Sequence, residues 1–191
     1  MKLVFASNNR GKIREASEIL GERFSLLTPS EAGIDEDIPE TGATLRENSI
    51  QKARYIYERT GLDCFADDTG LEVDCLGGAP GVHTARYAGE PANPSANIDK
   101  LLREIKGSKE RSARFRTSVT LILGGEYHFF DGIMEGSIAT ERSGDGGFGY
   151  DPVFVPQGLP CTAACLSEEE KNAISHRGKA LRAMAEFLKN R

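Results

Sequence analysis

Leu3-Val4-Phe5-Ala6-Ser7-Asn8-Asn9-Arg10-Gly11-Lys12-Ile13 is the stretch from which the fold can be read first. Leu3 to Ala6 is an apolar run of strand length, Ser7 to Lys12 is a polar turn, and Ile13, Ala16, Ile19 and Leu20 then recur on one helix face. Further units follow. Thr44 and Glu47 fit a capping box, and Leu45, Ile50, Ala53 and Tyr57 continue at helical spacing. Cys64-Phe65-Ala66 reads as a buried strand that ends at Asp67-Asp68-Thr69-Gly70. Ser95 is placed to cap a helix carrying Ile98, Leu101, Leu102 and Ile105. From Phe115 to Leu123 alternate residues are Phe, Thr, Val, Leu and Leu, and Gly124-Gly125 then supplies a two-residue hairpin turn before Tyr127 to Phe130. A last helix, 177 to 188, buries Ala180, Leu181, Met184 and Leu188, with Ser175 as its cap. The class is α/β, with a mixed β-sheet flanked by helices.

The composition narrows what such a fold is used for. With 191 residues, 39% of them apolar, the chain can bury a substantial core and is expected to form one folding unit, with two lobes left open. The formal charge of -5 argues against a broad grip on a nucleic acid backbone, while a small anionic substrate stays open if basic residues cluster locally. The apolar run at the N-terminus is too short for a signal peptide, and no window approaches the ~20 apolar residues of a membrane span, so a cytoplasmic protein is expected. Cys64, Cys75, Cys161 and Cys165 make no C-x-x-C pair and read as reduced thiols. Cys161, Cys165 and His176 are too scattered to argue for zinc, and no cysteine has an identifiable base partner for a nucleophilic role.

Four segments could carry chemistry, and each also has a plainer reading. Ser7 to Lys12 joins a strand to a helix, where backbone N–H groups, the helix dipole and the Lys12 ammonium favour a phosphate; the alternative is a polar turn with a solvated lysine. The spacing is not that of a Walker A loop. Two adjacent carboxylates at the end of an apolar strand, Asp67 and Asp68, cost desolvation unless a cation or donors meet them. Alternation puts Asp68 on the face of Cys64 and Ala66. Glu40 is a candidate third carboxylate, and such oxygen ligands with retained waters suit Mg²⁺; the alternative is a pair of solvated turn carboxylates. The glycine-dense loop Gly144 to Pro152 can bring its backbone close to a ligand, with Phe148 either stacking on a planar base or anchoring the loop in the core. Lys171, Ser175, His176, Arg177 and Lys179 concentrate donors ahead of the last helix, as a second anion site or as a cap with solvated charges.

Taken together, these segments resemble the inosine triphosphate pyrophosphatase family along nearly the whole chain. The resemblance is carried, in order, by Ser7-Asn8-Asn9 with Gly11-Lys12, Glu40-Thr41-Gly42 with Glu47-Asn48, and Ala66-Asp67-Asp68-Thr69-Gly70-Leu71. Gly77-Gly78-Ala79-Pro80-Gly81 with Ala85-Arg86-Tyr87, Gly146-Gly147-Phe148-Gly149-Tyr150-Asp151-Pro152, and Glu170-Lys171 with Ile174-Ser175-His176-Arg177 complete the set. The resemblance implies an elongated two-lobed α/β fold with the active site in a cleft between the lobes, a homodimer and a Mg²⁺ requirement. It also implies hydrolysis of ITP, dITP and XTP to the nucleoside monophosphate and pyrophosphate. Residue by residue, it implies that Ser7, Asn8, Asn9, Arg10, Gly11 and Lys12 bind phosphate, that Glu40 and Asp68 hold the metal, and that Asp68 is also the general base. Thr69, Phe148, Gly149, Tyr150, Asp151, Lys171, His176 and Arg177 are then substrate contacts. Between Pro156 and Leu166 the chain departs from the family, with Cys161 and Cys165 where many relatives carry a lysine and a glutamate. The rival functions are a pyrophosphatase for modified pyrimidine nucleotides and a nucleotide-binding regulator without hydrolysis. The regulator would be expected to lack Asp68 or Glu40, and both are present.

Overall fold

The computed structural model describes the whole chain, Met1–Arg191. Its strands are β1 (Lys2–Phe5), β2 (Ser25–Leu27), β3 (Cys64–Val73), β4 (Ser112–Leu123), β5 (Glu126–Ile138) and β6 (Phe154–Pro156), and its helices are α1 (Arg10–Leu20), α2 (Leu45–Thr60), α3 (Pro94–Glu104), α4 (Glu168–Ile174) and α5 (His176–Lys189). The strands form one six-stranded sheet in the order β2-β1-β3-β4-β5-β6. β1 is parallel to both β2 and β3, whereas β5 is antiparallel to β6, so the sheet is mixed as expected. A two-residue turn at Gly124-Gly125, with φ of 57° and 86°, obliges β4 and β5 to form a hairpin.

The chain packs as two compact units. One comprises Met1–Asp68, Thr117–Gly132 and Arg177–Arg191, the other Thr69–Arg116 and Ile133–His176. In the first unit the period-2 alternation of the strands makes three layers. Leu3, Phe5, Phe65, Val119 and Leu121 face α1 and α5, where they bury Ala16, Leu20, Ala180, Leu181, Met184 and Leu188. Val4, Ala6, Cys64, Ala66 and Ile122 face the other way, onto Ala53 and Ile56 of α2. Phe5 and Phe65 are neighbours in the parallel β1–β3 pair, and their rings stack at 4.4 Å. The second unit has its own core, built around Leu71, Val73, Ile98, Leu101, Phe115, Met134 and Phe154.

Several boundaries differ from the sequence reading. β3 does not end at Asp67 but runs on to Val73, because Leu71 and Val73 are fully buried and keep the strand in the second unit's core. Ser95 lies inside α3. The cap is Asn93, whose side chain accepts from the Ala96 N–H, with Pro94 at the first helical position. α5 starts one residue earlier than expected, at His176, directly after Ser175, which also closes α4, a short helix opened by a Ser167–Glu170 capping box. At α2 the box is as read: Thr44 accepts from the Glu47 N–H, and the Glu47 carboxylate reaches back to the Thr44 N–H.

Candidate active site

In the first unit β1 is flanked by β2 on one side and β3 on the other, and the chain reverses direction across the sheet after β2. Open α/β sheets place ligands outside the carboxyl ends of the strands at such a switch point. Ser7–Lys12 follows β1 there, and Asp67-Asp68 stand beyond the residues of β3 that pair with β1. Asn9 caps α1: its side-chain oxygen accepts from the N–H groups of Gly11 at 3.0 Å and Lys12 at 3.2 Å. Two of the N–H groups expected to be open to an anion are therefore occupied by a neutral acceptor, which leaves the side-chain charges of Arg10 and Lys12 as the turn's attraction for one.

The two aspartates point to opposite faces of β3 and meet different partners. Asp67, on the face of Phe65, receives Lys12 Nζ at 3.0 Å and Arg177 Nε at 2.8 Å. Arg177 Nη1 also bonds Glu15 Oε2 at 2.5 Å, so a guanidinium only 2% exposed is held between two carboxylates. Burial alone would push Asp67 up, but Lys12, Arg177 and Lys52 together hold it well below the usual carboxylate range. Burial also lowers Lys12, and the nearby Lys52 and Arg177 charges add to that against the pull of Asp67.

Asp68 lies on the face of Cys64 and Ala66 and meets α2. Asn48 Nδ2 donates to it at 3.0 Å, and Lys52 Nζ stands 3.6 Å away. Lys52 Nζ also bonds Glu40 Oε1, so the two carboxylates expected to hold a metal converge on one cationic position, here the ammonium. Carboxylate oxygens are the ligand type a hard divalent ion such as Mg²⁺ takes, but only these two converge, and the Lys52 ammonium stands between them. Desolvation raises Asp68 above its ordinary value, with Glu40 adding and Lys52, Lys12 and Asn48 opposing. Lys52 is lowered by burial but raised more by Asp68, Asp67 and Glu40, and the net shift is upward. The Glu40 segment is fixed by α2: Thr41 N–H donates to Gln51 at 2.9 Å and Gly42 N–H to Asn48 at 2.7 Å. A Cβ on Gly42 would stand 2.6 Å from that of Glu47, so only glycine allows this approach.

The second unit carries its own set. Asp151 is buried, accepts from the Phe148 N–H at 2.8 Å and from Lys171 Nζ at 2.5 Å, and thereby shapes the glycine loop. Phe148 is 45% exposed, which removes the core-anchor alternative, and the Lys171 ammonium sits 4.4 Å from its ring centroid. A Cβ on Gly147 would fall 2.2 Å from Asp151 Oδ2, and its φ of +71° also favours glycine. Tyr150 is buried, its hydroxyl donating to the Thr84 carbonyl at 2.8 Å. His176 stacks on Phe115 at 4.8 Å and Ser175 is buried, while Lys179 is exposed. Thr69 is half-buried at the start of this unit.

Sequence reasoning missed Lys52 and Glu15 and, although it named Asn48 within a motif, gave it no role. The signal was present, since Asn48 and Lys52 are one helical turn apart among the positions α2 buries, as Glu15 is on α1. Ionisable side chains at core-facing positions are seldom there without partners.

This is a mixed-sheet α/β protein whose strand ends bring carboxylates and buried cations together, the kinds of group that phosphate chemistry uses. The Ham1 family model matches residues 3–187, and the chain belongs to the Ham1 family. A dITP/XTP pyrophosphatase of Flavobacterium psychrophilum is 51% identical over 190 residues, covering 100% of both chains. That of Bacillus subtilis is 44% identical over 97% of this chain and 96% of its own. Among solved structures, a HAM1 protein from Coxiella burnetii superposes with a TM-score of 0.93 at 39% identity, covering 100% of each chain.

Proposed function

We propose that this chain hydrolyses non-standard purine nucleoside triphosphates, ITP, dITP and XTP, to the nucleoside monophosphate and pyrophosphate, working in the cytoplasm as a homodimer. The observation that carries the proposal is the division of labour at the end of β3. Asp67 is locked ionised by Lys12 and Arg177, while Asp68, with a raised pKa, is the better proton acceptor. Asp68 orients and deprotonates a water for attack on the α-phosphorus, and the P–O bond to pyrophosphate breaks. Mg²⁺ held by Glu40 and Asp68 would neutralise phosphate charge. Lys12, steered by Asp67, and Lys52 bind phosphate oxygens and stabilise the charge developing on the leaving group. The turn from Ser7 to Gly11 lies against the same phosphates, and Lys171 adds its charge.

The base is read by the second unit's groups and the segment that follows them. Phe148 stacks on the purine, with Thr69 and Gly149–Asp151 lining the substrate, and donors from Ser175-His176-Arg177 meet the 6-oxo group. Adenine offers a donor there, so ATP leaves buried donors unpaired, a mismatch that discriminates by roughly 10⁴-fold. The test is pyrophosphate release from ITP, XTP, GTP, ATP and dUTP, with and without Mg²⁺. Turnover of ITP and XTP that needs Mg²⁺ is expected; preference for dUTP, or no release from any of the five, overturns the reading.

A further inference from the structure

Cys161 and Cys165 lie four residues apart across the 3₁₀ turn Ala163–Cys165, and nothing in the reaction above uses them. Cys165 is exposed and Cys161 half-exposed. Cys64, in contrast, is buried, and burial with the Asp63 charge pushes its thiol up to about 12. The Cys165 sulfur has two hydroxyl neighbours, Thr162 Oγ1 at 3.5 Å and Ser143 Oγ at 3.6 Å, and Cys161 adds weakly to their effect on it. These bonds, that of Thr162 first, draw the Cys165 thiol below its ordinary value. Since the thiolate is the reactive form, an exposed sulfur so surrounded is poised for exchange with disulfides.

The same turn carries the glycine loop. Thr162 Oγ1 donates to the Ser143 carbonyl at 2.6 Å, Gly146 N–H to the Ala164 carbonyl at 3.0 Å, and Ala164 N–H to the Asp151 carbonyl at 3.2 Å. A Cβ on Gly144 would stand 2.6 Å from the Ala164 carbonyl carbon and 2.8 Å from the Cys165 nitrogen, so the loop backbone lies directly on the turn. Thr162 has one hydroxyl proton. In this structure it goes to the Ser143 carbonyl, so the clamp and the Cys165 sulfur share one hydroxyl, and a displacement of Cys165 bears on the group that holds the loop.

We propose that Cys165 and Cys161 are a reversible thiol–disulfide pair that takes low-molecular-weight disulfides as reactant and loosens the glycine loop bearing Phe148 when oxidised. In the first step the Cys165 thiolate attacks one sulfur of the small disulfide; the mixed disulfide forms and one small thiolate leaves. In the second, Cys161 gives its proton to solvent and attacks the Cys165 sulfur, and the other small thiolate leaves. Two protein thiols are oxidised by two electrons, and the small disulfide is reduced to two thiols. Closing the bond draws the two sulfurs to about 2 Å, which shifts the turn backbone to which Ser143, Gly146 and Asp151 bond and so loosens the loop. Its effect on substrate binding rests on the proposed function; the thiol chemistry does not.

The experiment uses the full chain with oxidised glutathione as the probe. On the reduced protein, N-ethylmaleimide is expected to label Cys165 about tenfold faster than Cys75, which is exposed without this set of neighbours. Mass mapping after glutathione treatment should find a Cys161–Cys165 bond, a glutathione adduct trapped on Cys165 in Cys161→Ser, and no bond in Cys165→Ser. Amide exchange across residues 144–148 should quicken on oxidation and return with dithiothreitol. The KM for ITP should rise about fivefold with little change in kcat, and only in the chain that has both cysteines. Labelling of Cys75 as fast as Cys165, absence of the disulfide, or an oxidised protein with unaltered loop exchange overturns the proposal. A protein that forms the disulfide and loosens its loop, yet hydrolyses no nucleotide even when reduced, keeps the proposal and refutes the proposed function.

Discussion

Replacing Asp67 with asparagine keeps the side chain's shape and removes one charge from the most enclosed ion cluster of the first unit. Asp67 and Arg177 are 1% and 2% exposed, and their bond is 2.8 Å long. Breaking a buried pair from one side costs about 3–5 kcal/mol, because the remaining charge stays buried. Here Arg177 keeps Glu15, and the asparagine oxygen still accepts a hydrogen bond, so the lower end, about 3 kcal/mol, is expected. For a chain of this size that is a fall in Tm of about 6–12 °C. The pH dependence gives an independent check. The folded pKa of Asp67 lies below its unfolded value near 3.8, so its contribution is fully present above that value and is lost as pH falls through the folded pKa. The stability gap between wild type and Asp67→Asn should thus be constant above about pH 5 and narrow in acid. Urea unfolding followed by circular dichroism at several pH values measures both. A gap under 1 kcal/mol, or one that widens in acid, would refute the ion-cluster account.

Other outcomes follow from the same geometry. Asp68→Asn should fold normally and lose roughly 10²- to 10⁴-fold in kcat for ITP; near-normal turnover in the folded variant removes Asp68 as the base. Because burial raises Asp68, its carboxyl should titrate above 3.8 in the metal-free chain, as NMR of the side chain can follow, and Lys52→Met, which takes away the largest opposing charge, should move it higher still. A titration that stays in place in metal-free Lys52→Met points to another group. His176→Ala and Arg177→Ala should alter the ITP, XTP, GTP and ATP ratios, and ratios unchanged in folded variants exclude both from base reading. Gly147→Ala, which drives a methyl group against Asp151, should raise KM with little effect on Tm, since the loop is exposed; equal losses of kcat and Tm contradict a local effect.

Local rules with a short reach were legible in the sequence. The Thr44–Glu47 box, the Gly124-Gly125 hairpin and the spacing of Ile98 and Leu101 each depend on residues a few positions apart, and each is found where the pattern placed it. The Ser167–Glu170 box was equally local but was overlooked, because only a short helix follows it. What could not be read was partnership over distance. Asp67 and Arg177 are 110 residues apart, Glu15 and Arg177 are 162 apart, and no periodicity announces either bond. The continuation of β3 was hidden for a related reason: Asp67, Asp68 and Gly70 look like the close of a strand, and only packing around Leu71 and Val73 keeps it extended. Residue type marked Glu40 and Asp68 as candidate carboxylates and the family resemblance gave them their roles, whereas the ion pairs by which Lys52 ties them together are seen only once α2 is packed.

The first unit takes Arg177 and five core side chains, Ala180, Leu181, Met184, Ala185 and Leu188, from the far end of the chain. During synthesis β1 and β3 leave the ribosome long before α5 exists. Until Arg177 is made, Asp67 and Glu15 face each other's neighbourhood without the guanidinium that makes their burial tolerable, and Phe5 and Phe65 lack one of their two covering helices. A nascent chain halted before Arg177 is therefore expected to be protease-sensitive around β3 and to release no pyrophosphate, which pulse proteolysis of stalled chains can read. On that expectation hydrolytic competence arrives late in translation, once Arg177 and α5 are made.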